Sequence, residues 1–320
     1  MNAPTVTENL PKITVVTPSL NQAQFLEDTI RSVLSQGYPN LEYMVIDGGS
    51  NDGSVDIIRR YEHQLAYWSS RPDNGQADAI NNGWQRATGD ILAYINSDDT
   101  YCPDALRVVA ETFARDPQLG LVYGRCHVID DHGAVLRERR VRDATLAEVL
   151  RWSPSIPQPS MFVRRAAVEA VGFLRPDLHH TMDYELSLRI GLKYKWRFIP
   201  ILLANMRDHP AAKSAVDPLR HVEEGIGVAE QFFTQPLPAD LRQLKNQTLA
   251  TLFIRRARVL SRLGRGAEAR AAISRALQLC SDSSVFRKAA VAWAMSWIGA
   301  GAINSLRRVK RNWLRTFTRN

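Results

Sequence analysis

Cysteine is scarce in this chain, and its count is odd. Cys102, Cys126 and Cys280 stand far apart in 320 residues. That spacing excludes a disulfide framework and a cysteine-based metal site, and it predicts a reducing, cytoplasmic setting. Long apolar runs are missing too. The first eleven residues are polar, with no apolar segment of the kind a secretory signal needs. The uncharged apolar stretch Ala289 to Ile303 has fifteen residues, short of the roughly 20 that span a bilayer. Acidic residues nearly vanish after position 240. Residues 241–320 hold 17 Lys/Arg against only Glu268 and Asp282, a net +15, while residues 1–240 carry a net −7. A mildly acidic body is therefore expected to carry a basic region that needs an anionic partner.

What is present is a globular core, with 45% hydrophobic residues, in which strand-like and helix-like patterns alternate. Lys12 to Thr17, Leu41 to Ile46, Leu65 to Ser69, Ile91 to Ile95 and Leu119 to Tyr123 read as short apolar strands. Phe25 to Gln36, Ser54 to Tyr61, Gln76 to Ala87 and Pro103 to Arg115 read as helices between them. This alternation predicts an α/β fold with a doubly wound, mostly parallel sheet. In such a sheet, ligands bind beyond the C-terminal strand ends.

Each of those ends is polar. The first strand runs into Thr17-Pro18-Ser19-Leu20-Asn21, and the second into Asp47-Gly48-Gly49-Ser50-Asn51-Asp52-Gly53-Ser54. The paired glycines allow positive φ and close backbone approach. Capping of the next helix by Asp52 or Ser54 is the plainer alternative. Arg71 to Asn81 is a further polar segment, in which Asp78 fits the first turn of a helix. The fourth apolar run ends in Asn96-Ser97-Asp98-Asp99. Adjacent carboxylates at a strand end favour an oxygen-loving cation such as Mg²⁺ or Mn²⁺, which commonly also holds phosphate oxygens. Asp is also a common turn residue.

Taken together and in this order, Thr17–Asn21, Asp47–Ser54, Asp73–Asn81 and Asn96–Asp99 resemble glycosyltransferase family 2, whose members have the Rossmann-like GT-A fold. The resemblance spans roughly residues 12–215. It implies a metal-dependent, inverting transfer of a sugar from a nucleotide diphosphate, with UDP favoured. Thr17 and Ser19 would line the nucleoside pocket, Asp47 would face the base, and Pro18 and Gly49 would belong to the same nucleotide-sugar site. Asp73, Asn74, Gln76 and Asp78 would border the nucleotide and donor sugar. Asn96 stands where relatives often have Asp. Asp98 would lie near ribose or metal, and Asp99 would be the direct metal ligand. Gln158 and Ser160, in Ile156–Arg165, would shape the acceptor side together with His180 and Glu185. Asp183 matches the base, although Asp183 and Glu185 could simply complement a helix N-terminus. Beyond the strand Trp196 to Asn205, His209 would add a metal ligand or stay solvated, and Arg207 or Lys213 would neutralise leaving phosphate.

The basic region reads differently. Leu249 to Leu263 and Ala267 to Leu279 form a helical hairpin around Gly264-Arg265-Gly266. Ala289 to Ile303 carries Trp293 and Trp297 and is followed by Arg307, Arg308, Lys310 and Arg311. Tryptophans beside basic residues suit a helix lying on an anionic membrane surface. The expected organisation is a polar arm at 1–11, a catalytic domain at 12–240 and a basic helical extension at 241–320. The expected setting is peripheral, on the inner face of the cell membrane, with a glycan or lipid-linked glycan as acceptor in cell-surface polysaccharide or lipopolysaccharide synthesis. Two other functions compete. A metal-dependent nucleotidyltransferase would need a Gly-rich, basic phosphate loop after the first strand, and Thr17–Asn21 is not one. A non-enzymatic binder of anionic polymers could use the basic region, but no nucleic-acid-binding motif accompanies it.

Overall fold

The computed structural model describes residues 10–152, 156–280 and 282–297. They form two compact units. The first comprises residues 10–149 and 156–209, and the second 150–152, 210–280 and 282–297. The boundary after His209 precedes the expected one at 240. The basic residues from Arg307 onward lie outside the described residues.

The first unit opens with β1 (Ile13–Ser19), α1 (Ala23–Leu34), β2 (Leu41–Asp47), α2 (Ser54–Tyr61), β3 (Tyr67–Ser70), α3 (Gln76–Arg86) and β4 (Ile91–Tyr94). The order β3-β2-β1-β4 is parallel throughout. Every residue of β1 and β4 is buried, as expected of strands covered on both faces. Helix α3 closes tightly on β1 because Gly83 faces Val16, where a Cβ would lie 2.6 Å from a valine methyl. A buried carboxylate braces the other end of these strands. Glu42 accepts hydrogen bonds from Thr14 Oγ1 at 2.5 Å, from Thr88 N at 2.8 Å and from Thr88 Oγ1 at 2.7 Å, and it pairs with Lys12 at 3.2 Å. Burial alone would raise its pKa. The hydrogen bonds from Thr14 and Thr88 outweigh burial and carry it down to about 2.

The chain continues through β5 (Thr100–Tyr101), α4 (Ala105–Arg115), β6 (Leu119–Ile129), β7 (Val135–Glu138), α5 (Leu146–Leu150), β8 (Met161–Arg164), α6 (Arg165–Val171), α7 (Met182–Lys193) and β9 (Lys195–Arg207). Here the sheet becomes mixed. Strand β8 lies antiparallel between β4 and β6, β5 runs antiparallel to β9 and β7 to β6, while β6 and β9 are parallel. The expected parallel sheet is thus the N-terminal half of a larger one. Strand β8 enters from the short 3₁₀ turn Gln158–Ser160 rather than from a crossover helix, which frees it from the parallel orientation that crossovers impose. The core joins Ile13, Val15, Ile91, Ala93, Val122, Phe162 and Leu203 from the sheet with Leu26, Ile30, Leu106 and Phe113 from α1 and α4.

The second unit is helical: α8 (Lys213–Val216), α9 (Pro218–Phe232), α10 (Ala239–Gln243), α11 (Lys245–Arg262), α12 (Gly266–Leu279) and α13 (Ser283–Trp297). Helices α11 and α12 are the expected hairpin. Helix α13 covers it, placing Val285, Ala289 and Ala292 against Ala257, Leu260, Ala269 and Ile273. Asp282 fixes the start of α13 by accepting from Ser284 N and Val285 N, both at 2.8 Å. These bonds hold its pKa far below the usual carboxylate range. Among the described residues, no helix is long and apolar enough to cross a membrane.

Candidate active site

The parallel register aligns the strand ends. Ser19 lies beside Asp47, and Asp47 beside Ser70. Asp47 is buried and organises the loop that follows it. Its Oδ2 accepts from Gly49 N at 3.1 Å, Ser50 N at 2.8 Å and Ser70 Oγ at 2.7 Å, and its Oδ1 accepts from Ser50 Oγ at 2.6 Å. Oδ1 therefore keeps acceptor capacity, since a carboxylate offers about four lone-pair sites. Gly49 has φ +88, and a Cβ there would sit 3.2 Å from Pro72 N, so the loop after β2 packs closely on the loop after β3 only because position 49 lacks a side chain. Asn21 joins this cluster: its N donates to Ser50 Oγ at 2.7 Å, and its Oδ1 accepts from Asn51 N at 3.0 Å. Ser19 Oγ is buried without a hydrogen-bond partner among the described residues. An orphaned hydroxyl at this edge is a ready contact for a polar ligand.

After β3, Asp73 Oδ1 accepts from Gly75 N at 2.8 Å. Burial raises its pKa, and the negative charges of Asp78 and Asp47 add to the rise. Asp78 Oδ2 accepts from Asn74 N at 3.1 Å and Asn74 Nδ2 at 3.3 Å, so Asp78 braces the entry to α3. Gln76 reaches across and donates to Asn96 Oδ1 at 2.6 Å. Asn96 in turn donates from Nδ2 to Asp99 Oδ2 at 3.3 Å and to Gln158 Oε1 at 3.1 Å. Gln158 Nε2 anchors the junction on Tyr94 O at 2.8 Å. One amide thus ties the α3 entry, the Asp98–Asp99 turn and the Gln158 turn together.

Asp99 is 3% exposed. Burial pushes its pKa well above the usual range, and the charge of Asp98 pushes the same way, against a hydrogen bond from Arg207 N at 2.9 Å. Asp98 Oδ2 meets His209 Nε2 at 3.0 Å. Two adjacent carboxylates, one buried, form a donor set suited to a hard divalent cation, which needs only one or two carboxylates when phosphate oxygens supply the rest. Among the described residues, no group of three or more His, Cys, Asp and Glu side chains converges as an ion site.

Asp183 stands in the first turn of α7, half-buried. Burial raises the phenol of Tyr94, and the charges of Asp183 and Asp99 raise it further, so both carboxylates act on the ring that ends β4. Arg139 was not foreseen from the sequence. Its guanidinium pKa is lowered by burial while Asp183 and Asp99 act to raise it, and its Nη1 donates to Met206 Sδ at 3.4 Å. In the sequence it is one member of the run Arg137-Glu138-Arg139-Arg140, which has the look of a solvated charge cluster. A guanidinium keeps its charge in such a setting, so Arg139 is a buried cation on which the charges of Asp183 and Asp99 act.

Several expected positions also hold structural contacts. Thr17 is fully buried and shares a 3.0 Å hydrogen bond with Tyr43 OH, so its side chain lies in the core behind Pro18 and Ser19. Ser160 is likewise buried and donates to Gly124 O at 2.9 Å. Glu185 pairs with Arg189 at 2.7 Å, and both are largely buried. Arg207, 4% exposed, donates to Asp98 O at 2.9 Å, Asp130 O at 3.1 Å and Asp131 O at 2.9 Å, with Phe25 beneath it. These bonds make it a brace of the carboxylate turn. His209 is buried against the Phe25 ring, and its Nε2 lies 3.0 Å from Asp98 Oδ2, which places its imidazole beside the carboxylate turn. Lys213 opens α8 in the second unit. His180 is half-buried just before α7, and its neighbour His179 lies beside Gly75, at the α3 entry.

The parallel strand ends thus carry an orphaned hydroxyl, Gly-containing loops and an Asp-Asp turn along one edge, the edge at which open α/β sheets bind ligands. The glycosyl transferase family 2 model matches residues 14–172. The glycosyltransferase Rv1514c of Mycobacterium tuberculosis is 31% identical over 184 residues, covering 57% of this chain and 70% of that protein. The chain belongs to glycosyltransferase family 2 and is a glycosyltransferase with the GT-A fold. Its fold is also that of TarS from S. aureus, solved with UDP-GlcNAc (TM-score 0.63, 15% identity, 89% of this chain and 88% of that one). A similar fold occurs in the mannosyltransferase PcManGT of Pyrobaculum calidifontis, solved with GDP-Man and Mn²⁺ (TM-score 0.58, 21% identity, 93% and 88%).

Proposed function

We propose that this glycosyltransferase moves a sugar from a UDP-sugar to a hydroxyl of a glycan or lipid-linked glycan, with inversion, at the cytoplasmic face of the cell membrane, in the synthesis of a cell-surface polysaccharide or lipopolysaccharide. The observation that carries this reading is the gathering of Ser19, Asp47 and Asp73 at one sheet edge, with the Gln76–Asn96 hydrogen bond tying that edge to the Asp98–Asp99 turn. UDP is favoured because Asp47 Oδ1 is an acceptor suited to the imide N–H of uracil. Asp73 and the α3 N-terminus border the donor. Asp98 and Asp99 would hold a Mn²⁺ or Mg²⁺ ion that offsets charge on the diphosphate.

In this reading, Asp183 takes the proton of the acceptor hydroxyl. The hydroxyl oxygen bonds to the anomeric carbon from the face opposite the diphosphate, and the bond from that carbon to the phosphate oxygen breaks with its electron pair leaving on the diphosphate. Proton transfer late in the displacement needs only modest basicity, which fits a carboxylate in the first turn of a helix. Arg139 supplies a buried positive charge on which Asp183 and Asp99 act.

The test is a thermal-shift series with UDP, GDP and their sugar conjugates, with and without Mn²⁺, followed by NMR of the anomeric configuration of the product. Stabilisation by UDP-sugars only with Mn²⁺ and an inverted product are expected. Stabilisation by neither nucleotide, or retention at the anomeric carbon, would refute it.

A further inference from the structure

Helix α13 is dressed on two sides for two different surroundings. Val285, Ala289, Ala292 and Ser296 are buried on the helical hairpin. At 100° per residue, Phe286, Trp293 and Trp297 fall within about 40° of one another on a neighbouring face. They are 60%, 43% and 65% exposed. Trp293 and Trp297 meet edge-on at 6.3 Å, so the three rings form one aromatic ridge. Ala290 and Ala294 lie beside it, exposed. Singly exposed hydrophobic residues are ordinary, whereas three clustered aromatics are not.

The charge around the ridge is of one sign. Residues 245–297 hold 10 Lys/Arg and only two acids. Arg287 and Lys288 are exposed in the first turns of α13, and the Arg270 guanidinium sits 4.0 Å above the Trp297 ring. In sequence, residues 298–320 add six Lys/Arg and no acid. A partner protein face would need a complementary apolar groove and acids in register. An anionic bilayer asks for less: rings that sit at the headgroup level and cations that reach the phosphates.

We infer that the Phe286–Trp293–Trp297 ridge of α13 docks on an anionic lipid surface, with Arg270 and Arg287, which flank the ridge, bound to headgroup phosphates. This names the contact behind the membrane placement proposed above. It depends on the surface of the helical unit and not on the transfer chemistry. The helix lies along the membrane and keeps Val285 and Ala289 in its own core, so docking requires no unfolding.

Cosedimentation of the full chain with phosphatidylglycerol-containing and pure phosphatidylcholine vesicles, at low and high salt, tests it. Binding is expected to the anionic vesicles alone, and to weaken with salt. Trp293→Ala/Trp297→Ala should cut partitioning by about 10- to 100-fold. Arg287→Glu should cut it by at least about fivefold, the contribution of one cation near the surface, and Lys288→Glu, on the far side of the helix, should change it less. All of these residues are exposed, so circular dichroism and the UDP-induced thermal shift should match wild type. Quenching of tryptophan fluorescence by brominated lipid should fall in the tryptophan variant. Wild-type protein left in the supernatant at low salt would overturn the assignment. So would tryptophan or Arg287 variants that bind as wild type does, or a dimer in solution that the tryptophan substitutions dissolve. A failed UDP shift in wild type would instead count against the donor reading.

Discussion

Replacing Asn96 by aspartate puts the amide junction to its sharpest test. The change keeps the side-chain shape but converts two donated hydrogen bonds, to Asp99 and Gln158, into contacts between acceptors. The new carboxylate would stand about 3.3 Å from Asp99 Oδ2. At an effective dielectric of ~20, two charges at that distance repel by about 5 kcal/mol. Relaxation and proton uptake reduce this, so a loss of about 2–4 kcal/mol in metal-free stability is expected. Asn96→Ala loses the donors without adding charge and should cost only about 1–2 kcal/mol. Urea unfolding followed by fluorescence measures both. Mn²⁺ then separates them. A third carboxylate beside Asp98 and Asp99 strengthens cation binding, so Mn²⁺ should raise the melting temperature of Asn96→Asp more than that of wild type, and that of Asn96→Ala no more than wild type. An Asn96→Asp protein with the wild-type metal-free midpoint would refute the reasoning, because the amide would then not be holding the turn.

Asp183→Asn retains shape and loses the proton acceptor. Turnover should fall by roughly 10²–10⁴ with UDP-sugar affinity unchanged, and a parallel loss of both in kinetics and calorimetry would make Asp183 a donor-site residue. Asp99→Ala should abolish the Mn²⁺-dependent part of donor binding while leaving the circular dichroism spectrum intact; unchanged Mn²⁺ titrations would dismiss the cation site. Glu42 sets a pH dependence of stability. Its folded pKa of about 2 lies below the ordinary 4.5, so its contribution is complete above the ordinary value and is lost as pH falls through the folded one. The shift corresponds to about 3 kcal/mol. Glu42→Gln should lose that amount at neutral pH and flatten the fall in stability between about pH 5 and pH 2, as read from urea midpoints across that range.

The parts of the fold visible in the sequence were those with local grammar. The helix at 54–61 and the strand at 41–47 appear where the apolar spacing places them, because each buries a face whose period is set by its own backbone. Strand β8 was invisible: Met161 to Arg164 is too short to show a period, and its antiparallel place between β4 and β6 is set by distant partners. The strand ends that build the site were readable because their Gly, Asn and Asp residues have no use inside a strand. The roles within the site were less so. Nothing in Arg207 or Glu185 as letters shows that one is buried under the Asp98–Asp99 turn and the other is bound to Arg189 one helical turn away. Arg139 was hidden in a run of charges, and only the bond from its backbone N to Cys126 O, where β7 meets β6, turns it into the interior.

The grip of Arg207 and His209 on the Asp98–Asp99 turn has a consequence in time. The hydrogen bond from Arg207 to Asp99 joins residues 108 apart in sequence, and the family motifs in 14–172 all precede it. A chain emerging from the ribosome can therefore pair β1 to β4 early, while the turn still lacks the strand that braces it. Until β9 arrives, the two carboxylates can repel each other and draw in water. Closing them is a late, long-range event of the kind that slows folding. The residues that complete the site are the last of the first unit to be synthesised, so the nascent protein acquires its architecture before it acquires the means to hold a donor.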